Sequence, residues 1–269
     1  MRFPMSIALV CSLLPLSHSR ADVVNGNFTQ GFTGWTKQGG GGGTTVRGAI
    51  NSNPDIAPPD MDGNQAQITN SGGGNPTTTA LQGFLGLSGT DLADLAPNGD
   101  PTQGAIIFQN FDASQFGSQG AQLTFSWNFL TDEAVGSLNQ DFAFVSVTGN
   151  GLTFLQMLSF VDDPNLQPGD NDTTNVLGLN FGGLNGRQIA LPTPGYQTAT
   201  FTISPTGIPT GSYILGFGVL DANSTTNNSI LYIDAVSLTQ LPEPSSIAFL
   251  VLGIGVSIRR LRRRGRFTS

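Results

Sequence analysis

A period-two repeat of large apolar residues in the middle of this 269-residue chain most constrains its fold. The repeat occupies three segments, Leu123 to Phe129, Ala199 to Ile203 and Tyr213 to Val219. Successive side chains of a β-strand point to opposite faces of its sheet, so each segment predicts a strand with one face in a core.

Further segments extend this pattern. Two read as central strands because they are apolar on both faces, Phe142 to Val147 and Ile230 to Val236. Three weaker strand candidates are Gln65 to Ile68, Ala105 to Phe111 and Phe154 to Val161. Loops rich in Gly, Pro, Asn or Asp separate them: Gly39–Gly43, Ser71–Pro76, Pro97–Pro101, Pro164–Asp172 and Leu191–Gly195. The fold class predicted for residues 22–240 is all-β, one antiparallel jelly-roll-like β-sandwich.

The N-terminus has the pattern of an export signal. Arg2 supplies the only charge before an apolar run from Met5 to Leu16. Small residues at Ser19 and Ala21 occupy the −3 and −1 positions of a cleavage site. We therefore expect residues 1–21 to be a signal peptide cleaved after Ala21, with cleavage after Ser19 as the alternative.

The exported region is strongly acidic and lacks two reactive residue types. Residues 22–243 hold three basic and 18 acidic residues, a formal charge of −15. Such a charge repels nucleic acid and attracts cations, so no nucleic-acid partner is expected. The single Cys and the single His, Cys11 and His18, both fall in the signal. The mature chain thus has no disulfide, no histidine-ligated zinc and no Ser-His-Asp or Cys-His nucleophile.

The C-terminus has three parts in a fixed order. Pro242, Glu243 and Pro244 come first, and the two prolines favour an extended, accessible backbone. A 12-residue apolar run follows, which as a helix would span only ~18 Å of a ~30 Å hydrocarbon core. This predicted membrane segment comprises Ile247, Ala248, Phe249, Leu250, Val251, Leu252, Gly253, Ile254, Gly255, Val256, Ser257 and Ile258. A basic cluster, expected to stay cytoplasmic, ends the chain: Arg259, Arg260, Arg262, Arg263, Arg264 and Arg266.

This tripartite tail, residues 241–269, resembles the PEP-CTERM sorting signal of Gram-negative bacteria that make exopolysaccharide. The resemblance implies that the partner is exosortase, a membrane protease-transpeptidase that processes the tail at or near the motif. It also implies passage through the inner membrane, transient anchoring there, and a final location at the cell surface or in the extracellular matrix. An ordinary C-terminal membrane anchor is the alternative, because an apolar run followed by basic residues is also a stop-transfer pattern.

The two ends of the exported region resemble carbohydrate-binding-module-like, galactose-binding-like jelly rolls. The resemblance rests on the opening stretch Asn25 to Phe28, the Gly34-Trp35 pair, and a closing strand from Ile230 to Leu238. It implies that the two ends lie side by side. It also implies that Asp234 helps to hold a structural Ca²⁺, although Thr29 replaces a Glu that is frequent there. The alternative role for Asp234 is to cap a buried backbone group.

Two acidic groups are candidates for chemistry. Asp132, Glu133 and Asp141 could supply the acid and base of a glycosidase, or could simply lie in a solvated loop between two strands. The second group could hold Ca²⁺ or form an acidic surface loop, and it comprises Asp162, Asp163, Asp170 and Asp172.

Aromatic residues give no clear sugar platform. Trp127 is in register with Phe125 and Phe129, so it is expected in the core, as is Trp35. Tyr196 follows a Pro-Gly turn and is expected to be exposed. Because the mature chain lacks His and Cys and its carboxylate signal is fragmentary, the chain is expected to be a non-enzymatic matrix or biofilm component, with exopolysaccharide as its candidate ligand. A secreted carbohydrate-active hydrolase or lyase that uses carboxylates is the alternative.

Overall fold

Most of the described residues belong to β-strands. The computed structural model describes residues 20–21, 23–39, 45–48, 64–70, 74–116, 120–131, 133, 136, 140–162, 166–168, 187–189, 196–204, 208–222 and 229–241. The strands in these ranges are β1 Arg20–Ala21, β2 Thr36–Gln38, β3 Thr45–Gly48, β4 Asn64–Thr69, β5 Gln103–Asp112, β6 Ala121–Thr131, β7 Phe142–Gly149, β8 Leu152–Phe160, β9 Leu166–Pro168, β10 Arg187–Ile189, β11 Gln197–Thr202, β12 Ser212–Asp221 and β13 Ser229–Gln240. Each of the eight segments predicted as a strand overlaps one of them.

The strands form two antiparallel sheets. The first sheet has the order β3-β4-β13-β6-β10-β9, with β1 also paired to β13 and β11 also paired to β6. The second sheet has the order β2-β5-β12-β7-β8. Many neighbours in these sheets are distant in the chain, as in the pairing of β5 with β12. The two antiparallel sheets confirm the all-β prediction at this level.

A shared core fills the space between the sheets. The alternating residues of β6 (Leu123, Phe125, Trp127 and Phe129) are all buried in it. The second sheet contributes its own alternating set from β12, which includes Leu215 and Phe217, and the rings of Phe125 and Phe217 meet edge to face at 4.9 Å. Burial of this face explains the period-two pattern, because one side of each strand faces the opposite sheet.

Two short helices cover the outer face of the second sheet. They are α1 Thr78–Leu85 and α2 Asp91–Leu95, and a 3-10 turn lies at Ala113–Phe116. Thr77 caps α1 by accepting a hydrogen bond from Ala80 N at 3.3 Å, and Gly86 ends it in the left-handed conformation. Neither helix was predicted from the sequence. Helix α1 is only eight residues long and begins with Thr, so its apolar residues show too little helical periodicity to be recognised in a Gly- and Thr-rich sequence.

The helices explain why some strands are apolar on both faces. Leu81 and Leu85 of α1 pack with Phe142 and Phe144 of β7 in a second core. The other face of β7 turns Val145 and the neighbouring alternate residues toward the main core. A strand that is covered by a sheet on one side and a helix on the other has no solvent face, as its sequence predicted.

One predicted loop contains a strand. Pro164 to Asp172 was expected to be a loop, yet β9 lies at Leu166–Pro168 and pairs with β10. The pairing is three residues long and reaches Pro168, which cannot donate a backbone hydrogen bond. So short a strand has no periodicity that could distinguish it from the surrounding Asn, Pro and Asp residues.

The start and the end of the domain lie together, as predicted. Arg20 and Ala21 pair with Thr239 and Leu238 of β13. Val236 N also donates a hydrogen bond to Gly26 O at 2.9 Å. Cleavage after Ala21 would remove β1, whereas cleavage after Ser19 would retain it.

Candidate functional site

The predicted sorting tail, residues 241–269, begins where the last described strand ends. β13 finishes at Gln240, and Leu241 N donates to Gly120 O at 2.8 Å. Pro242, Glu243, Pro244, the predicted membrane segment and the basic cluster all lie outside the described residues, as does the signal up to Ser19. Within the described ranges, the structure contains no helix with the length and apolar character needed to cross a membrane.

Asp234 lies at an irregularity of the closing strand. The register of β13 against β6 shifts between Asp234 and Ser237, which marks a bulge. Ala235 within it has a positive φ of 51°, and Ala235 N donates to Asp234 Oδ1 at 2.7 Å. Asp234 is fully buried. The carboxylate therefore caps a backbone N–H of the bulge, which was the alternative role predicted for it.

The bulge faces the opening loop of the domain. Its Val236 N donates to Gly26 O instead of to a neighbouring strand. The side chain of Asn25 organises this loop, because its Nδ2 donates to Gly31 O at 2.8 Å and its Oδ1 accepts from Gln30 N at 3.1 Å. Thr29, which replaces the frequent Glu, is exposed and donates to Asn27 Oδ1 at 3.1 Å. Two consecutive backbone N–H groups therefore link Asp234 to the opening loop: Ala235 N donates to the Asp234 carboxylate, and Val236 N donates to Gly26 O.

A buried polar hub at one end of the sandwich centres on Asp141. Its Oδ2 accepts from Asn70 Nδ2 at 2.6 Å and from Ser229 Oγ at 2.8 Å. Ser229 Oγ also lies 2.9 Å from Thr131 Oγ1, and Asp141 N donates to Glu133 Oε2 at 3.1 Å. We call these five residues the Asp141 hub; they bring together β4, β6, β7 and β13.

The Asp141 hub holds its central carboxyl group out of water. Burial raises the pKa of Asp141 well above its usual range, and the charge of Glu133 raises it further. Asp221 has a smaller effect in the same direction, while the hydrogen bonds from Asn70 and Ser229 oppose the rise. Asp141 therefore tends to hold its proton at pH values where an exposed Asp is ionised.

The expectation that this acidic group is a solvated loop is wrong for two of its three members. Glu133 is 2% exposed and Asp141 is 0% exposed, and Asp132 lies outside the described residues. Asn70 and Ser229 satisfy the Asp141 carboxyl group from positions 71 and 88 residues away in the chain. No local pattern could have shown these partners. The Asp141 carboxyl group is therefore enclosed by protein groups and has no contact with solvent.

The second acidic group is only partly described. Asp162 accepts from Gly136 N at 2.9 Å and from Gln140 Nε2, so it ties the β6–β7 connection to the end of β8. Asp163, Asp170 and Asp172 lie outside the described residues. Across the described ranges, no three Asp, Glu, His or Cys residues are grouped so that they could hold a metal ion.

Both tryptophans lie in the main core, as predicted. Trp35 is 6% exposed and Trp127 is 5% exposed. Trp35 Nε1 donates to Asn25 O at 3.3 Å, and its ring lies 5.4 Å from that of Phe28. Tyr196, expected to be exposed, is intermediate in exposure. Neither tryptophan is placed to stack on a sugar at the surface.

Comparisons with known proteins add little to this geometry. No family model matches the chain, and no curated protein matches it. Among solved structures, one similar chain is the enzymatically active domain of tailspike protein 4 from bacteriophage CBA120. The match has 12% sequence identity and a TM-score of 0.36, and it covers 82% of this chain and 21% of the tailspike chain. A likeness at this level carries no conclusion about fold or activity.

Proposed function

We propose that this chain is an exported, exosortase-processed protein of the cell surface or extracellular matrix. The tripartite tail carries the proposal, because its motif, apolar run and basic cluster stand in the order of a PEP-CTERM signal. The fold is compatible with it: the described strands end at Gln240, so processing at Pro242 to Pro244 would remove none of them. The same chain expressed in hosts with and without exosortase tests this address. We expect release only where exosortase is present, and retention in the membrane fraction otherwise.

We further propose that the exported domain is a non-enzymatic jelly roll that binds exopolysaccharide. The enclosure of Glu133 and Asp141 supports the non-enzymatic part, since these carboxyl groups are the candidates for acid and base. The contact between the opening loop and β13 supports the jelly-roll part, because it places the first and last segments side by side. Exosortase systems accompany exopolysaccharide production, which makes this polymer the candidate ligand.

A glycan array probed with the released protein tests the binding proposal. We expect the protein to bind polysaccharide on the array without any change in the chain length of the glycan. Shortened glycans would support the alternative, a hydrolase or lyase that uses carboxylates. Absence of both binding and turnover would contradict the ligand while leaving the sorting proposal standing.

We also propose one structural Ca²⁺ site that includes Asp234. The site would use the Asp234 carboxylate together with oxygens of the adjoining opening loop, because Ca²⁺ prefers six to eight oxygen ligands. The hydrogen bond between Val236 and Gly26 supports this position, since it holds the loop against the bulge. The formal charge of −15 on residues 22–243 also favours a bound cation.

A further inference from the structure

The edge strands of the two sheets differ in how well they are protected from pairing with a strand of another molecule. The edge strands β2, β3 and β9 are three or four residues long, and β11, which among the described residues pairs with β6 only, has six. In contrast, β8 has nine residues. Among the described residues, β8 pairs with β7 only. An edge strand presents backbone N–H and C=O groups to any further strand, and proteins usually blunt such edges by shortening or charging them.

The sequence of β8 lacks two of the features that usually protect an edge strand from pairing, namely charged residues and proline. Leu152–Phe160 reads L-T-F-L-Q-M-L-S-F and contains no charged residue and no proline. Its apolar side chains are partly buried on both faces. Leu152, Phe154 and Leu158 pack against the main core, while a second set packs against the helix-side core: Leu155, Met157 and Phe160. An added strand would bury the remaining apolar surface of both sets.

The centre of β8 is symmetric about Gln156. If two copies of β8 ran antiparallel around this residue, Phe154 would lie opposite Leu158 and Leu155 opposite Met157. Residues directly opposite in an antiparallel pair point to the same face, and both pairs satisfy this condition. Gln156 would lie opposite its own copy, where two side-chain amides can form hydrogen bonds to each other. Apolar residues therefore meet apolar residues, and an amide meets an amide.

A bulge limits the symmetric stretch. The register of β7 against β8 shifts between Ala143 and Phe144, so Leu158 is an extra residue in β8. Beyond it, Phe160 turns to the helix side, and the symmetry of faces is lost. The matched contact thus spans five residues, Phe154 to Leu158.

We propose that β8 is a homodimerisation edge at which two copies of this chain pair antiparallel around a two-fold axis at Gln156. The two five-stranded sheets then join into one ten-stranded sheet. An isologous contact of this kind uses the same surface on both copies and closes on itself, so it yields a dimer and no filament. β8 contains no charged residue, so the contact itself brings no like charges together.

Single-cysteine variants test the two-fold axis directly. The full chain, kept in a mild detergent, carries Cys11→Ala so that the introduced thiol is the only one. Gln156→Cys places two thiols opposite each other, where Cβ atoms ~4.5–5.5 Å apart come close to disulfide geometry. Thr153→Cys is the control, because two copies of position 153 would be offset by six residues, about 20 Å. Both side chains are exposed. Under mild oxidation we expect the Gln156→Cys dimer to form at least about ten times faster than the control dimer.

Charge variants measured by sedimentation give a second readout without cross-linking. Gln156→Glu opposes two like charges at the axis and should raise the dimer dissociation constant about tenfold relative to Thr153→Glu. An unmodified chain that stays monomeric would overturn the proposal. Equal cross-linking of the two cysteine variants, or assemblies larger than a dimer, would also overturn it.

Discussion

At the residue scale, Asp141 links the buried end of the sandwich to pH. Its pKa in the folded protein is raised by burial and by Glu133, whereas in the unfolded chain it has an ordinary value near ~3.9. Between these two pKa values the folded state binds more protons than the unfolded state. The contribution of Asp141 to stability is therefore fully present below the unfolded pKa and is lost as pH rises through the folded pKa.

The corresponding prediction concerns Asp141→Asn, which keeps the shape of the side chain but cannot ionise. We expect the free energy of unfolding of the variant to fall less steeply than that of the unmodified protein as pH rises above the ordinary Asp pKa near ~3.9, because Asn has no proton to lose. Denaturant titrations at several pH values measure this slope. Asp100→Asn, at an exposed loop position, removes one charge elsewhere and should leave the slope unchanged. Identical slopes for Asp141→Asn and the unmodified protein would contradict the role of Asp141.

A second residue-scale prediction concerns Asp234 and calcium. If a site exists there, Ca²⁺ at 100 times its dissociation constant should stabilise the folded state by about 2.7 kcal/mol. Thermal unfolding in EDTA, in millimolar Ca²⁺ and in millimolar Mg²⁺ measures the effect, with Mg²⁺ as the control for screening of charge. An equal shift with both cations, or none, would exclude a specific site. A Ca²⁺-specific shift that persists in Asp234→Asn would move the site to the loop of Asp162 and Asp163.

At the scale of elements, the join between the opening loop and β13 depends on one glycine. A Cβ atom at Gly26 would lie 2.1 Å from Val236 O, a backbone atom that cannot move aside alone. We expect Gly26→Ala to lower the free energy of unfolding by about 1–3 kcal/mol through this overlap. Gly83→Ala in α1 is the matched control, because its Cβ would meet no atom within 4 Å.

For the control variant, Gly83→Ala, we also predict the direction of the change in the free energy of unfolding. Ala has a higher helix propensity than Gly, so Gly83→Ala should raise the free energy of unfolding by up to about 1 kcal/mol. Urea denaturation of the two variants compares them under one condition. Equal effects in the two would contradict the tight contact between the opening loop and β13.

Elements with a strong local signal could be predicted, and those without one could not. In β6 and β12 one face of the strand is buried in the main core, so every second residue in the sequence is apolar. By contrast, α1 owes its stability to Leu81 and Leu85 packing on the second sheet, a tertiary contact that its short sequence does not display. The Asp141 hub escaped prediction for a related reason. Asn70 and Ser229 reach it from distant strands, and only the sheet order brings them together.

At the scale of the whole molecule, the first and the last described segments of the chain lie side by side. The opening loop and β1 contact β13 at one side, and β13 leads directly to Leu241 and the sorting motif. The last described strand ends at Gln240, before the predicted sorting motif begins at Pro242. The account therefore rests on the claim that the motif at Pro242 to Pro244 is recognised and processed.

The intact mass of the released protein tests that claim most directly. In a host with exosortase, we expect the unmodified chain to appear outside the cell with a mass that lacks both the signal peptide and the membrane segment with its basic cluster. Glu243→Ala should remain in the membrane fraction with the tail attached, while the neighbouring Ser245→Ala should be processed like the unmodified chain. Release of Glu243→Ala at the unmodified mass would contradict the sorting proposal, and retention of all three chains at full tail length would favour a plain membrane anchor.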